Sequence, residues 1–500
     1  MNSYDRHIST LRDALRRQDY YDSVKQLFEF DMWQTLPPAG RPFRGEVAGF
    51  LTKQAKAQLL SPAVADAVDY FSAMSRQEFR EIRHWGAARR LIRLYQQASR
   101  VPDDLEAALV TCSLENQMIW REALKASDFD LYRPHMKRLF ELKRAVAQAV
   151  NPDLPPFQVM VDYFDQGLQI EDITRLFDEL KRAIPTMLPL AEERSSKADP
   201  SLLSVVAERG AAERFMADFM AGTGIDRDRT SFGGVLHPVS YCIGPRDVRV
   251  TVNYEKNIWQ LMCTFLHECG HARYQYGTDE ELAEFGLWGG ISGAMHEGIA
   301  RFYENLIGRS REFIEFAYPH VAKAFPDVAA YSPEVVYDTL NVVSPGARRI
   351  KADELTYSLH PIIRFEMEKD YFEGKISIDD FREIWNEKYR TYLGITPASD
   401  AQGVLQDISW SSGYLGYFQS YALGNLYGAQ IRSVLLKAVP DVYKEIRSGN
   451  FAPLNSWMQE NIFRYGNLFN ASETIERISG KPLGTDDFLA YLQGKYCGNC

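Results

Sequence analysis

Three scarcities in this sequence each exclude a class of protein. Basic residues are not in excess, because 57 Lys and Arg stand against 67 Asp and Glu and give a net charge of −10, so we expect no nucleic-acid partner. No apolar run approaches the roughly 18 residues of a membrane span. The N-terminal MNSYDRHISTLRDALRRQ also lacks the apolar core of a signal peptide. The sequence therefore predicts a cytoplasmic protein without a membrane partner.

Cysteine is scarce as well, with 6 residues in a chain of 500, at positions 112, 242, 263, 269, 497 and 500. Scattered in this way, they do not match the disulfide framework of a small secreted domain. Cys497 and Cys500 have the spacing of a redox or metal pair, but we interpret them as free thiols in a frayed tail. We expect Cys269 to pack as a small hydrophobe.

Helical patterns predominate in what the sequence does contain. Hydrophobic residues make up 45% and charged residues 25%, as in ordinary globular proteins. Residues 1–150 indicate several amphipathic helices, interrupted by a Pro-rich segment at 33–42. The clearest break, at 151–156, separates this N-terminal helical section from residues 151–500, which contain the motifs described next. We expect the two parts to form one continuous domain.

The most informative motif is His267-Glu268-Cys269-Gly270-His271. In a helix, His267 and His271 lie one turn apart on the same face, so both imidazoles can bind one cation. Glu268 is about 100° further round, where it can contact a water on that cation without being a ligand. The motif predicts metal-activated hydrolysis, most often with zinc. The alternative is an ordinary helix surface.

The residues around this motif favour a buried helix. Asn257 is a plausible N-cap and Gly277 a natural stop. The run from Ile258 to Leu266 has no charged residue, unlike a solvated helix surface. Unpaired His and Glu side chains would be costly on such a helix, so the context favours a metal site.

A hydrolytic zinc usually has three protein ligands and one open position for water. His267 and His271 supply two, and the third is expected from a second helical run around residues 293–305. Glu297 is our prediction for the third ligand. His296 is the alternative, because the local spacing does not exclude it.

Residues 247–253 predict a strand, since polar residues alternate there with Val248, Val250 and Val252. The turn residues Gly244 and Pro245 suggest a hairpin with residues 236–243. A strand beside the zinc helix could hold an extended peptide at a sheet edge. A solvated sheet face is the alternative.

Together with further motifs, these segments resemble the thermostable metallocarboxypeptidases typified by carboxypeptidase Taq, from about Phe28 nearly to the C-terminus. After the HExxH, the chain has His-Glu and then Arg-x-x-Glu-Asn, as that family does. The further matching segments are His-Pro-Val at 237–239, Asp-x-Arg-x-Thr at 247–251, Arg-x-x-Ala-Asp at 349–353, Gly-x-x-Gln-Asp-x-Ser-Trp at 403–410 and Gly-Tyr-Phe-Gln-x-Tyr-Ala-Leu-Gly at 416–424.

The resemblance implies a mainly α, saddle-like metallopeptidase with a deep active-site groove and a small β-hairpin or sheet beside the zinc helix. Residues 1–150 would flank the groove. It also implies a zinc-dependent metallocarboxypeptidase, with Co²⁺ or Mn²⁺ as other possible metals, that acts on peptides and forms a homodimer.

Roles for single residues follow from the same resemblance. Arg349 corresponds to the arginine that binds the substrate's terminal carboxylate, although structural pairing with an acidic neighbour is the alternative. Tyr421, and less surely His237 or Tyr417, would donate a hydrogen bond to the oxyanion. The remaining assignments are Glu268 as general base, Asp247, Arg249 and Thr251 in substrate binding, and His267, His271 and Glu297 as metal ligands.

The chain departs from the family pattern at Ile299, Ser409 and Gln419, where Gln, His and Pro are usual, and Arg348 stands where Ile or Val is usual. Ile299 and Ser409 would remove two polar groups that we expect near the cleft. Two alternative functions therefore stay open. One is a zinc oligopeptidase that cuts short peptides internally, and the other is a catalytically impaired metal-binding scaffold.

Overall fold

The computed structural model describes residues 2–234 and 238–498, apart from the side chain of Trp33. The described chain is mainly helical, as predicted. Its first half contains nine α-helices: α1 (Ser3–Gln34), α2 (Arg41–Leu59), α3 (Pro62–Ser72), α4 (Ile82–Arg100), α5 (Asp103–Ala126), α6 (Phe129–Val150), α7 (Pro156–Phe164), α8 (Ile170–Ser195) and α9 (Arg209–Gly222).

Three strands follow: β1 (Thr230–Gly234), β2 (Val239–Gly244) and β3 (Asp247–Val252). The later helices of the described chain are α10 (Ile258–Tyr276), α11 (Glu280–Ala283), α12 (Gly293–Arg301), α13 (Arg311–Ala324), α14 (Pro333–Leu340), α15 (Leu359–Phe372), α16 (Phe381–Leu393), α17 (Phe418–Ala438), α18 (Val442–Arg447), α19 (Ala452–Asn461), α20 (Ala471–Ser479) and α21 (Asp486–Leu492). None of the described helices combines the length and apolar character of a membrane span.

The helix breaks fall where proline predicted them. α1 ends at Gln34 and α2 begins at Arg41, across the Pro-rich segment. α6 ends at Val150 and α7 begins at Pro156, across the second break. Proline lacks an amide hydrogen and disfavours the helical conformation in the residue before it, so clusters of proline end helices.

The predicted hairpin is confirmed, and β3 is the central strand of the sheet. The strand order is β1-β3-β2, with β2 antiparallel and β1 parallel to β3. Val248, Val250 and Val252 are fully buried, as the alternation predicted. Because β3 has a partner on each side, β2 is the outer strand next to the hairpin turn.

The buried side chains form two clusters. The smaller cluster contains residues of α1, α3 and α4 together with Phe285, Leu287 and Leu468. The larger one includes α10, α12 and α17, and also residues of α5 and α6 such as Trp120 and Phe140. The division of the chain at residue 150 stays a prediction.

Close backbone approaches fix α12 between α10 and α17. A β-carbon on Gly270 of α10 would lie 2.8 Å from the Cα of Ala300. On the other side, a β-carbon on Gly424 of α17 would lie 2.9 Å from the Cγ of Glu297 and 3.0 Å from the amide nitrogen of Gly298. Only glycine leaves room for such contacts. They determine where Glu297 stands relative to the HExxH helix.

We predict that Gly424→Ala destabilises the protein by about 1–3 kcal/mol, because an added methyl group overpacks the α12–α17 contact. Urea unfolding measures this change. Gly49→Ala is the control, since Gly49 lies in α2 with nothing within 4 Å of its missing β-carbon. Alanine should stabilise that helix by up to about 1 kcal/mol. Equal unfolding free energies for the two variants would contradict the proposed constraint.

Candidate metal centre

The HExxH motif lies on α10, as the sequence predicted. The Asn257 side chain caps the helix by accepting a hydrogen bond from the Trp259 amide at 2.9 Å. Gly277 ends it, and its amide donates to the Arg273 carbonyl. The imidazoles of His267 and His271 are 5.0 Å apart between ring centroids. Both therefore face the same side of a largely buried helix.

His267, His271 and Glu297 come together as a candidate metal site. One ligand atom from each lies within 4.8 Å of the others, and His267 Nε2 is 3.9 Å from Glu297 Oε2. The other carboxylate oxygen of Glu297 accepts a hydrogen bond from Arg301 Nε at 2.6 Å. Two imidazoles and one carboxylate are the donor chemistry of a catalytic divalent-metal site with an open position. The residues therefore fit such an ion.

His296, the alternative third ligand, contacts His271 instead. The Nδ1 atoms of the two rings are 3.3 Å apart, and the His296 ring packs against Tyr274 at 4.8 Å between centroids. Among the described residues, His296 does not belong to the set of potential metal ligands.

Glu304 orients His267 from behind. Its Oε2 is 2.9 Å from His267 Nδ1, and its Oε1 accepts a hydrogen bond from Arg309 Nη2 at 3.3 Å. This contact fixes the proton on Nδ1 and leaves Nε2 free on the side of Glu297. Glu304 lies in a π-helical segment, Phe302–Ile307, that continues α12, and π-helical turns are frequent at functional sites.

The pKa values of the two imidazoles shift in opposite directions. Burial lowers the pKa of His267, but the hydrogen bond with Glu304 and the charge of Glu297 raise it to about 9. Burial and the neighbouring imidazoles hold the pKa of His271 well below its usual range. The carboxylates thus make the site attractive to a cation, and His271 is already in the neutral form that a ligand needs.

Glu268 lies beside these ligands, is 6% exposed and has a specific partner on β2. Ser240 Oγ donates a hydrogen bond to Glu268 Oε2 at 2.7 Å and lies 3.0 Å from the Glu268 carbonyl oxygen. Burial raises the pKa of Glu268, against the opposing effects of His267 and Ser240. A raised pKa suits a carboxylate that accepts and returns a proton near neutral pH.

These groups line one cavity of about 800 Å³, which also contains Arg349, Tyr417 and Tyr421. Arg349 donates from Nε and Nη2 to one oxygen of Asp407, at 3.0 and 2.8 Å. Its Nη1 donates to the Tyr357 hydroxyl at 3.2 Å. The acidic partner that the sequence analysis offered as an alternative is therefore present. The guanidinium nevertheless lines the cavity.

The other predicted site residues lie elsewhere. His237 is outside the described residues. Asp247, Arg249 and Thr251 are on the central strand β3 and do not line this cavity. Arg249 pairs with Asp247, and Thr251 is buried and donates to the Val239 carbonyl at 2.9 Å. The wall beside Glu268 is instead the outer strand β2, so substrate binding by the three β3 residues stays a prediction.

Comparison with known proteins agrees with this geometry. Residues 10–496 match the model of the carboxypeptidase Taq (M32) metallopeptidase family. The chain belongs to this family. Carboxypeptidase 1 of Bacillus subtilis is 30% identical over 491 residues, 97% of each chain. The structure of the Pyrococcus furiosus carboxypeptidase, in a form named Apo-Mg, covers 99% of each chain with a TM-score of 0.93 and 28% identity. The M32 carboxypeptidase of Deinococcus radiodurans covers 98% of each chain with a TM-score of 0.92 and 28% identity.

The predicted resemblance is thus confirmed, and with it the enzyme class. The protein is a metallocarboxypeptidase of the carboxypeptidase Taq family. Membership implies a divalent metal and peptide substrates. It also makes the catalytically impaired scaffold an unnecessary hypothesis, because the described cavity keeps both histidines and both glutamates of the metal motif.

The three departures from the usual family motifs do not line the cavity. Ile299 is fully buried in α12, whereas we had expected this position near the cleft. Ser409 is partly buried outside the cavity lining. Gln419, where the family usually has Pro, is fully buried and donates to Asp165 Oδ2 at 3.0 Å.

Several residues at this site were missed by sequence reasoning. Glu304 had a signal, because it lies seven residues beyond Glu297 and so about two helical turns along. Ser240 and Asp165 had none, since an isolated serine or aspartate has no diagnostic spacing. Asp165 is nevertheless central, because it accepts from the Ala294 amide at 2.7 Å and from Ser420 Oγ at 2.5 Å. It thereby joins the first turns of α12 and α17.

We predict that Glu304→Gln lowers the affinity for a divalent metal about 10- to 100-fold, because the imidazole of His267 loses its anionic partner. A titration of Zn²⁺ against a chromophoric chelator measures the affinity. Glu315→Gln, at an exposed position of α13, is the control and should bind as tightly as the parent protein. An unchanged affinity in Glu304→Gln would rule out the orienting role.

Proposed function

We propose that this protein is a zinc-dependent carboxypeptidase that removes single residues from the C-termini of peptides. One observation supports this most strongly. The three potential ligands, the buried carboxylate of Glu268 and the guanidinium of Arg349 all line the same cavity. A metal-dependent hydrolytic centre and an anchor for a terminal carboxylate are therefore within reach of one peptide.

Zinc is the metal that we propose, with Co²⁺ and Mn²⁺ as alternatives, since all three bind imidazole and carboxylate donors. His267, His271 and Glu297 would hold it. When bound, such an ion polarises the substrate carbonyl and lowers the pKa of water.

Glu268 is proposed as general base and general acid. Its raised pKa allows it to take a proton from the attacking water and then to pass this proton to the leaving amine. Ser240 occupies Oε2 of the carboxylate, so the other oxygen is available to the water. The seryl hydroxyl thus keeps the carboxylate in one orientation through both proton transfers.

Arg349 is proposed to bind the terminal carboxylate of the peptide. Asp407 and Tyr357 fix the orientation of the guanidinium, which retains N–H groups for a ligand in the cavity. Burial raises the pKa of Tyr421, so its hydroxyl stays protonated and can donate to the developing oxyanion. His237 and Tyr417 are the alternative donors.

Other parts of the proposal rest on the family resemblance alone. Asp247, Arg249 and Thr251 would contribute to substrate binding by supporting β2. A homodimer and a cytoplasmic location also stay predictions, and sedimentation analysis would measure the first of these.

We predict that Glu268→Gln keeps its metal but loses activity by a factor of at least about 10² to 10⁴, because proton transfer is lost while the ligands remain. Release of the C-terminal amino acid from a benzyloxycarbonyl dipeptide measures activity, and elemental analysis measures the metal. The parent enzyme treated with a chelator should be inactive and recover when Zn²⁺ is restored. Full activity of Glu268→Gln would disprove the general-base assignment.

We predict that Arg349→Lys lowers kcat/KM for a benzyloxycarbonyl dipeptide about 100-fold, because an ammonium cannot replace the planar, paired donors of arginine. The matched substrate is the same dipeptide with a C-terminal amide, which the parent enzyme should cleave poorly. The variant should lose most of this discrimination. An oligopeptidase would instead cut the amide as well as the acid, whichever residue stands at 349.

A further inference from the structure

A second cavity, of about 470 Å³, lies beside the catalytic one. Helices of the N-terminal section, α1, α2, α4, α5 and α6, surround it together with α7. Tyr163 and Phe164 at the end of α7 line both cavities. An occupant of the second cavity and a peptide in the first would therefore contact the same two aromatic rings.

The lining of this second cavity is amphipathic. Leu59, Val146, Met160 and Leu415 are among its apolar residues. Five cationic side chains also line it, against two acidic ones. Such a combination of apolar walls and a few convergent polar groups is typical of small-molecule sites.

The charges in this lining are unevenly paired. Arg93 binds Asp162 at 2.6 Å, and Lys56 binds Glu106 at 2.9 Å. These contacts use both acidic residues of the lining. Lys143 on α6 is left over, since it has no hydrogen bond or ion pair within the described part of the chain.

The nearest buried carboxylate does not satisfy Lys143. Glu368 acts on it electrostatically, but the two oxygens of Glu368 accept hydrogen bonds from Trp410 Nε1 at 2.7 Å and from the Gly416 amide at 2.8 Å. Burial raises the pKa of Glu368 to about 8, so its charge is small at neutral pH. Burial also lowers the pKa of Lys143, an effect that a bound anion would reverse.

We propose that this second cavity binds an amphipathic carboxylate, whose apolar body packs between α2, α6 and α7 and whose carboxylate pairs with Lys143. Two sources share this chemistry. One is a medium-chain fatty acid, and the other is an apolar amino acid of the kind that the proposed carboxypeptidase activity would release. Only the second source rests on the proposed function.

The experiment uses the full-length protein, with sodium decanoate and L-leucine as probes in calorimetric titrations. Lys143→Met removes the charge and keeps an apolar stem, and we expect it to weaken binding of the recognised probe at least about tenfold. Lys137→Met is the matched control, because Lys137 is exposed on the same helix. It should bind as the parent protein does.

Two further arms locate the site. Val146→Phe keeps Lys143 but fills the cavity, so it should also weaken binding, and it replaces Lys143→Met if that variant does not fold. Decanamide has the shape of decanoate without the charge, and it should bind at least about tenfold more weakly to the parent protein.

Binding of decanoate alone, dependent on Lys143, would identify the fatty acid as the source, and binding of leucine would identify the amino acid. The proposal is overturned if neither probe binds, if Lys143→Met and Lys137→Met bind equally, or if decanamide binds as well as decanoate. Turnover of the blocked dipeptide by each variant is measured separately. Failure of the catalytic proposal would therefore be visible as lost turnover in the parent enzyme, whatever the titrations show.

Discussion

The metal centre depends on the contact of α12 with α10 and α17. Two of its potential ligands are on α10 and the third is on α12, so their separation is set by how closely the two helix backbones approach. At Gly270 that approach leaves no space for a β-carbon, and at Gly424 the same holds on the opposite side of α12. Glu297 is thus placed by main-chain packing, which is stiffer than side-chain packing. A shift of about 1 Å in this contact would be enough to spoil a metal site.

Around this centre, buried charges are compensated by pairs that also determine geometry. Arg301 holds one oxygen of Glu297, and Glu304 holds the distal nitrogen of His267. Asp407 accepts from both Arg349 and Arg364, and these guanidinium groups lower its pKa to about 2 against the effect of burial. Breaking a buried pair leaves an uncompensated charge and is strongly destabilising. The same contacts that make burial tolerable therefore fix the direction of each functional group.

Much of this could be predicted from sequence, because the features concerned are local. The HExxH spacing places two imidazoles on one helix face, and the alternation of valines in 248–252 predicts a strand with one buried side. The partners that complete the site could not be predicted in this way. Ser240 reaches Glu268 across 28 residues of sequence, and Asp165 reaches Ala294 across 129. Such contacts depend on tertiary packing, for which an isolated serine or aspartate carries no periodic signal. The position of β3 at the centre of the sheet was hidden for the same reason, since β1 has no hairpin turn that links it to β3.

The departures from the family motifs illustrate how a changed residue can preserve a site. Proline at position 419 would lie in the first turn of α17, where a missing amide hydrogen costs little. Gln419 instead uses its side-chain amide, which donates to Asp165 and to the Gly416 carbonyl at 2.6 Å. Asp165 in turn accepts from the first turn of α12, the helix that carries Glu297. The substitution thus exchanges the conformational restriction of a proline for a hydrogen bond into the network that joins α12 to α17. Both solutions hold the start of α17, and hence Tyr417 and Tyr421, against the same wall of the cavity.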